Sequence, residues 1–258
     1  MVAALRKHVD TVNHHAPTLP GGYNVLSRDD PPYPKKLKDA LGAKAPRQFY
    51  YMGNLALLDM KGVGFCGSRD ASEQGLETAA DCAAQIASEN LTVISGNAPG
   101  IDRQAHVAAL QSGGCTIFVL PEGIEHFAIR KELKEVWDWS RTLVLSAYPP
   151  KTPWHKYQAM DRNNIIVALS DAMIVIEAGE KGGTMEAGKA TLRRGKPLYV
   201  VEYADNEKAP GNAYLVKQGA ISLRKSGKTD KASLSRLLTQ VQEGKNVSPN
   251  DEVQTSLF

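Results

Sequence analysis

Three glycine-containing segments in the chain carry residue types that bind anions. They are Gly67-Ser68-Arg69, residues 95–102 and residues 179–184. Glycine lets the backbone approach a ligand closely, while serine and arginine supply a hydroxyl donor and a guanidinium fork. Residues 95–102 and 179–184 also lead into predicted helices, whose first N–H groups attract negative charge. Together the three segments predict a site for a phosphate-bearing ligand, although one such turn alone would be expected in any tightly connected α/β unit.

The elements that position these segments are short apolar strands alternating with helices. Strands are predicted at 63–67, 92–95, 116–120, 142–145, 172–177 and 197–201, and helices at 72–90, 99–111, 130–139, 161–169 and 184–194. Strands that are apolar throughout are buried on both faces, which is typical of a parallel sheet covered by helices. The predicted fold is therefore α/β, with a doubly wound, mostly parallel, Rossmann-like sheet. The glycine segments fall at the carboxyl ends of its strands, where such sheets bind ligands.

The predicted core is flanked by two less regular regions. Residues 1–22 end in a cluster of helix breakers and are expected to be a flexible lead-in. Residues 23–60 form an N-terminal extension lobe with an extended segment at 48–52, and residues 61–220 form the Rossmann-like domain. Residues 221–258 are assigned to a C-terminal helix, with an amphipathic stretch at 231–242, and to an unstructured tail.

Composition limits the function classes. The 258 residues are 42% hydrophobic with a net charge of +3, so the chain is an ordinary globular protein and any nucleic acid must meet a local basic surface. The three cysteines (Cys66, Cys82 and Cys115) fit neither a metal motif nor a disulfide framework, which favours a reducing cytoplasm. His14 and His15 are adjacent, but no third ligand stands at a metal-binding spacing, so no metal is expected. No segment is long and apolar enough for membrane insertion.

Two common nucleotide motifs are missing from the sequence. Neither Gly-x-Gly-x-x-Gly nor Gly-x-x-x-x-Gly-Lys-Ser/Thr occurs. Dinucleotide-dependent redox chemistry and P-loop hydrolysis therefore lose support, and no cofactor is expected.

An ordered series of motifs resembles the DprA/Smf family of DNA-processing proteins. It runs from about Tyr23 to Ala220. The matching residues include Tyr33-Pro34, Gly53-Asn54-Leu55, Gly67-Ser68-Arg69, Ser95-Gly96, Gly100-Ile101-Asp102, Ala105-His106, Tyr148-Pro149-Pro150 and Arg162-Asn163. The chain departs from the family where Ala159-Met160 replaces the usual Phe-Pro and where Asn164 replaces a second arginine.

The resemblance implies a protein that binds single-stranded DNA, loads a RecA-type recombinase and forms a homodimer, with segment 212–220 in the dimer contact. Candidate extensions of the basic surface are Lys189, Arg193 and Arg194, and a stripe formed by Lys217, Arg224, Lys225, Lys228 and Lys231, which equally fits an ordinary solvated surface. The predicted phosphate and nucleic-acid contacts are Gly67, Ser68, Arg69, Ser95, Gly96, Asn97, Gly100, Arg103, Arg162, Asn163, Lys181, Gly182, Gly183 and Thr184.

An alternative function is hydrolysis of the N-glycosidic bond of a nucleoside monophosphate, or the sensing of a nucleotide. Residues 182–186 resemble a signature of the LOG phosphoribohydrolases, and Arg162 and Glu186 could imitate that family's catalytic pair. Glu186 would also suit the first turn of a helix, where a carboxylate offsets the helix dipole. Asp102 and His106 lie four residues apart on one helix, for which a structural role is favoured. The longer match to the DprA/Smf family favours DNA binding.

The last five residues form a separate candidate site. Gln254, Leu257 and Phe258 resemble the peptide by which bacterial proteins dock on the replication sliding clamp. The alternative is that Leu257 and Phe258 pack against their own domain.

Overall fold

A computed structural model describes residues 22–204 and 209–244, together with the backbone of 255–256. One mixed sheet of nine strands dominates these residues, in the order β1-β2-β6-β5-β4-β3-β7-β8-β9. The strands are β1 (Asn24–Ser27), β2 (Gln48–Gly53), β3 (Gly62–Gly67), β4 (Thr92–Ser95), β5 (Thr116–Leu120), β6 (Thr142–Ser146), β7 (Ala172–Ile176), β8 (Leu198–Val201) and β9 (Ile221–Leu223). Strands β3 to β9 run parallel to one another, which confirms the predicted doubly wound, Rossmann-like fold.

Seven α-helices are present in the described residues, on both faces of the sheet. They are α1 (Lys35–Leu41), α2 (Glu73–Ser88), α3 (Ile101–Gln111), α4 (Lys156–Leu169), α5 (Gly183–Arg193), α6 (Pro210–Lys217) and α7 (Ser235–Glu243). Helices α2, α3 and α7 bury apolar residues against one face, and α1, α4, α5 and α6 cover the other. The apolar strands are buried on both sides for this reason.

The N-terminal extension contributes two strands to the same sheet. Strand β2 pairs antiparallel with β6, and β1 pairs antiparallel with β2. Leu37 and Phe49 from this region are fully buried in the core beside α4. The N-terminal extension is therefore packed as part of the central core.

The predicted helix at 130–139 is wrong. The connection between β5 and β6 contains two short 3-10 turns, at Ile124–His126 and Lys131–Leu133, and no α-helix. Its apolar spacing comes from side chains that pack around Phe118, among them Trp137, whose ring centroid lies 5.5 Å from that of Phe118. A cluster of this kind produces helical spacing without helical backbone.

The C-terminal region also differs from the expected unstructured tail. Thr255–Ser256 forms a short strand, β11, that pairs antiparallel with β10 (Lys225–Ser226). Helix α7 begins at Ser235, four residues later than the amphipathic stretch predicted, because Ala232 forms a β-bridge with Lys225. In the part of the chain that the structure describes, no helix combines the length and apolarity needed to cross a membrane.

Candidate nucleic-acid interface

A cavity of about 450 Å³ lies at the carboxyl edge of the sheet. It opens beyond the ends of β3 and β7, where the strand order reverses, which is the ligand-binding position in open α/β sheets. Helices α4 and α5 begin beside it. Its lining contains Cys66, Gly67, Ser68, Arg69, Ala98, Asp102, Trp154, Lys156, Ala159, Met160, Arg162, Asn163, Glu177, Gly179, Lys181, Gly182, Gly183 and Thr184.

The structure brings nine of the predicted contact residues to this cavity. They are Gly67, Ser68, Arg69, Arg162, Asn163, Lys181, Gly182, Gly183 and Thr184. Two hydrogen bonds connect their segments. The Thr184 hydroxyl donates to the carbonyl of Gly67 at 3.0 Å, and the Asn163 amide donates to the carbonyl of Gly183 at 3.1 Å. These bonds hold the turn after β3, helix α4 and the start of α5 in one arrangement.

Arg162 is the buried cation of the cavity. The residue is only 4% exposed, and its Nη1 lies 3.7 Å from Oδ2 of Asp102. Nε and Nη1 have no hydrogen-bond partner among the described residues. A buried guanidinium without full partners is costly, and its positive charge beside the cavity favours an anionic ligand there.

Asp102 partly balances Arg162. Its carboxylate accepts a hydrogen bond of 3.4 Å from the Ala98 backbone N–H, which braces the loop before α3. Burial raises the pKa of this carboxyl above its ordinary value, while the neighbouring Arg162 opposes the shift. The structural role favoured for Asp102 matches this geometry.

Glu177 is the second carboxylate in the cavity lining. It accepts hydrogen bonds from the backbone N–H and the hydroxyl of Ser72, the residue that caps α2. Its backbone has φ = 53°, an uncommon left-handed conformation for a residue with a side chain. Glu177 is therefore committed to holding the start of α2 against the end of β7.

Three further cations lie around the cavity opening. Arg69, Lys156 and Lys181 are all exposed, and the Arg69 guanidinium lies 5.6 Å from the ring centroid of Trp154. With Arg162, four cationic side chains line the cavity against the two carboxylates described above. The cavity is thus locally basic although the whole chain has a net charge of only +3.

The remaining five predicted contacts do not line the cavity. The Ser95 hydroxyl donates to the carbonyl of Phe65 at 2.8 Å, and Arg103 pairs with Glu132 at 2.7 Å. Gly100 has φ = +77°, and a Cβ there would lie 2.3 Å from the carbonyl oxygen of Ser68. Asn97 and Gly96 lie on the loop after β4, where Gly96 contacts the Arg162 guanidinium. Gly96 and Gly100 pack against the cavity residues Arg162, Ser68 and Arg69 without lining the cavity themselves.

His106 is buried and does not bond to Asp102. Nε2 lies 2.7 Å from the Gly96 carbonyl, so it must carry the proton, and Nδ1 lies 2.6 Å from the Thr116 hydroxyl, which also contacts the Val93 carbonyl at 3.0 Å. Its ring stacks on Phe118 with centroids 3.5 Å apart. Burial lowers the pKa of His106 to about 3, so the imidazole is neutral and structural.

Arg162 and Glu186 line different cavities. Glu186 belongs to a smaller one of about 150 Å³ between α4 and α5, and its carboxylate pairs with Lys189 at 3.4 Å. The two cavities are neighbours, since Met160 and Asn163 line both. The basic stripe is partly neutralised as well, since Arg224 pairs with Glu202 and Lys225 with Asp230.

The sequence interpretation missed the cavity residues contributed by the segment before α4 and its first turns. Trp154, Lys156, Ala159 and Met160 lie in or just after a proline-containing connection. The detectable signal was a tryptophan and a lysine in a polar connection that follows a strand. The predicted clamp-binding residues Gln254, Leu257 and Phe258 lie outside the described residues, and so does the His14–His15 pair.

Comparison with known proteins agrees with this geometry. The chain is 34% identical over 179 residues to DNA processing protein DprA of Streptococcus pneumoniae, covering 68% of this chain and 63% of that relative. It is 27% identical over 226 residues to the Bacillus subtilis DprA, covering 84% of this chain and 75% of the relative. The matched part of the chain thus spans less than two thirds of the pneumococcal protein.

Solved structures give the same relationship. The S. pneumoniae DprA structure superposes with a TM-score of 0.69 at 31% identity, covering 86% of this chain and 74% of the other. The structure of Helicobacter pylori DNA processing protein A was described for its single-stranded DNA binding mode. It superposes with a TM-score of 0.68 at 25% identity, covering 79% of this chain and 93% of the other. The sequence profile of DNA recombination-mediator protein A matches residues 24–232, and this chain belongs to that family.

Proposed function

We propose that the chain binds single-stranded DNA through the basic cavity at the carboxyl edge of the sheet. The observation that carries this proposal is the charge of the cavity lining, where Arg69, Lys156, Arg162 and Lys181 face only two carboxylates. Arg69, Lys156 and Lys181 are exposed and would contact phosphates directly, and the buried charge of Arg162 would attract them to the cavity. The single-stranded DNA binding attributed to the H. pylori relative supports the same ligand class.

The proposal includes assembly and delivery of the bound strand. We propose that the chain acts in the cytoplasm as a homodimer and passes single-stranded DNA to a RecA-type recombinase. Asn212 and Leu215 in the proposed contact segment are buried within their own chain, where Asn212 bonds to the backbone of Ala178 and Val201. The exposed side of α6, which contains Tyr214 and Lys217, is therefore the part of this segment available to a second copy. Docking of the C-terminal residues on a sliding clamp remains a separate proposal.

The test is a titration of labelled single-stranded and double-stranded DNA at several salt concentrations. We expect the wild-type protein to prefer the single strand, with an affinity that falls as salt rises because bound phosphates release counterions. Arg162→Ala and Arg69→Ala should each weaken binding and flatten the salt dependence, by about 0.7 in log–log slope for each phosphate that is no longer neutralised. Unchanged affinity and slope in both folded variants would contradict the proposal.

Glu186→Ala is the matched control for this titration. It removes a charge that lies outside the main cavity, so DNA binding should be unchanged or slightly stronger. A parallel assay for free base released from nucleoside monophosphates tests the alternative function. Base release by the wild-type protein that Glu186→Ala abolishes would replace DNA binding with hydrolysis as the activity of this site.

A further inference from the structure

Large apolar side chains are exposed beside the cavity opening. Trp154, Tyr157 and Met160 are 47%, 63% and 42% exposed. They are three of the six exposed large hydrophobic residues in the described part of the chain, yet they fall within seven consecutive positions. Because exposed apolar area is unfavourable in water, adjacent side chains of this kind mark a surface that binds something. We call these three residues the aromatic surface.

Two of the three residues of the aromatic surface line the cavity. Trp154 and Met160 belong to its lining, and Tyr157 lies in the first turn of α4. The ring of His155 stacks on Tyr157 with centroids 5.6 Å apart and planes inclined by 16°. The Arg69 guanidinium lies over the Trp154 ring at 5.6 Å. The rings are therefore held by neighbours while much of their area faces solvent.

The charges around this surface indicate which kind of ligand it binds. Arg69, Lys156 and Lys181 are cations at the same opening, so an occupant needs negative charge next to flat apolar groups. Single-stranded nucleic acid has both, because its phosphates alternate with bases whose faces are uncovered. In a duplex those faces are stacked on one another and cannot reach a protein ring.

We propose that the aromatic surface stacks on unpaired bases of the strand whose phosphates occupy the cavity. This inference rests on the proposed function and adds a contribution from the bases to it. It assigns to Trp154 and Tyr157 the discrimination of single strands from duplex, which phosphate contacts alone do not provide. Met160 adds an exposed apolar side chain to the cavity lining.

The experiment compares two single-stranded ligands of equal length and charge, a thymidine oligonucleotide and an abasic oligonucleotide with the same phosphates. We expect the wild-type protein to bind the thymidine strand about tenfold or more tightly than the abasic strand, since stacking on aromatic side chains contributes at every base. The double variant Trp154→Ala/Tyr157→Ala should lose this preference and approach the abasic affinity for both. Tryptophan fluorescence should be quenched by the thymidine strand in the wild-type protein and much less in Trp154→Phe.

Two controls isolate stacking from other effects. Trp154→Phe keeps a ring over Arg69 and should retain most of the preference. Trp139→Ala removes another exposed tryptophan, which precedes β6 at the opposite edge of the sheet, and should leave the preference intact.

The outcomes separate this inference from the proposed function. If the wild-type protein binds neither strand, the proposed function fails and the inference fails with it. If it binds both strands equally well, the cavity contacts phosphates and the aromatic surface has another occupant, which overturns the inference alone. A double variant that loses affinity equally for both strands also overturns it, because the aromatic surface then acts only by positioning Arg69 and Lys156.

Discussion

The guanidinium of Arg162 packs directly against the backbone of Gly96. A Cβ placed on Gly96 would lie 1.5 Å from Nη1 of Arg162 and 2.4 Å from Oδ2 of Asp102. Glycine is required at position 96 because any side chain would occupy the space of the buried ion pair. This contact connects the loop after β4 to helix α4 and fixes where the cation points.

We therefore expect Gly96→Ala to displace Arg162 and weaken single-stranded DNA binding about tenfold, the usual consequence of losing a charge-assisted hydrogen bond. Overpacking should also lower the free energy of unfolding by about 1–3 kcal/mol. Gly179→Ala is the matched control in the same cavity, since its Cβ would be 3.6 Å from its nearest neighbour, the Lys181 carbonyl oxygen. Equal affinities for the two variants in an anisotropy titration would contradict the proposed role of this contact.

The buried His106 predicts a loss of stability in acid. Below its ordinary pKa of 6.5 the unfolded chain takes up a proton there, whereas the folded chain stays neutral until a pKa of about 3. The unfolded state thus binds more protons across this interval, so the free energy of unfolding decreases as the pH is lowered. Lowering the pH from 7 to 4 should reduce the free energy of unfolding by about 3 kcal/mol through this histidine.

Chemical denaturation at several pH values measures this effect. His106→Gln removes the titrating group, so its stability should depend less steeply on pH than that of the wild-type protein, even if the variant is less stable at pH 7. Parallel pH profiles for the two proteins would show that other groups cause the acid sensitivity.

Lys196 is predicted to stabilise the end of helix α4. Its Nζ donates to the carbonyls of Val167, Ala168 and Ser170 at 2.8, 2.9 and 2.5 Å. Lys196→Met should lower the free energy of unfolding by about 2 kcal/mol, because it removes hydrogen bonds from a charged donor to carbonyls that are partly shielded from water. Lys189→Met breaks a half-exposed pair with Glu186 and an exposed contact with the Tyr214 ring, and should cost about 1 kcal/mol or less. Equal thermal shifts for both variants would contradict this assignment.

The C-terminal residues give a prediction about partner binding. A peptide covering residues 250–258 should bind a purified sliding clamp at about micromolar strength and lose binding when Leu257 and Phe258 are replaced by alanine. Removing those two residues should leave the melting temperature unchanged, because the described backbone pairing involves only Thr255–Ser256. A marked loss of stability would indicate that the terminal side chains pack against their own domain.

The order of strands and helices and the glycine turns at the strand ends could be predicted from the sequence. Apolar strands buried on both faces have a composition that local patterns show directly, and seven cavity residues follow from their position after such strands. Arg162 and Asn163 lie within helix α4, and the family resemblance indicated them. The connection at 130–139 could not be assigned in this way, because a cluster around Phe118 produces the same apolar spacing as a helix.

Only the tertiary structure decided which polar residues meet. Arg162 and Glu186 are both on helices beside the site, but Arg162 lines the main cavity and Glu186 lines the smaller one. Arg162 meets Gly96 and Asp102, and Trp154 meets Arg69, across sequence separations that no local pattern specifies. The sequence alone determined the fold class and the edge of the sheet at which the cavity lies. Strand order and helix packing decided which cationic and aromatic side chains lie together, because distances between remote residues depend on how the whole chain packs.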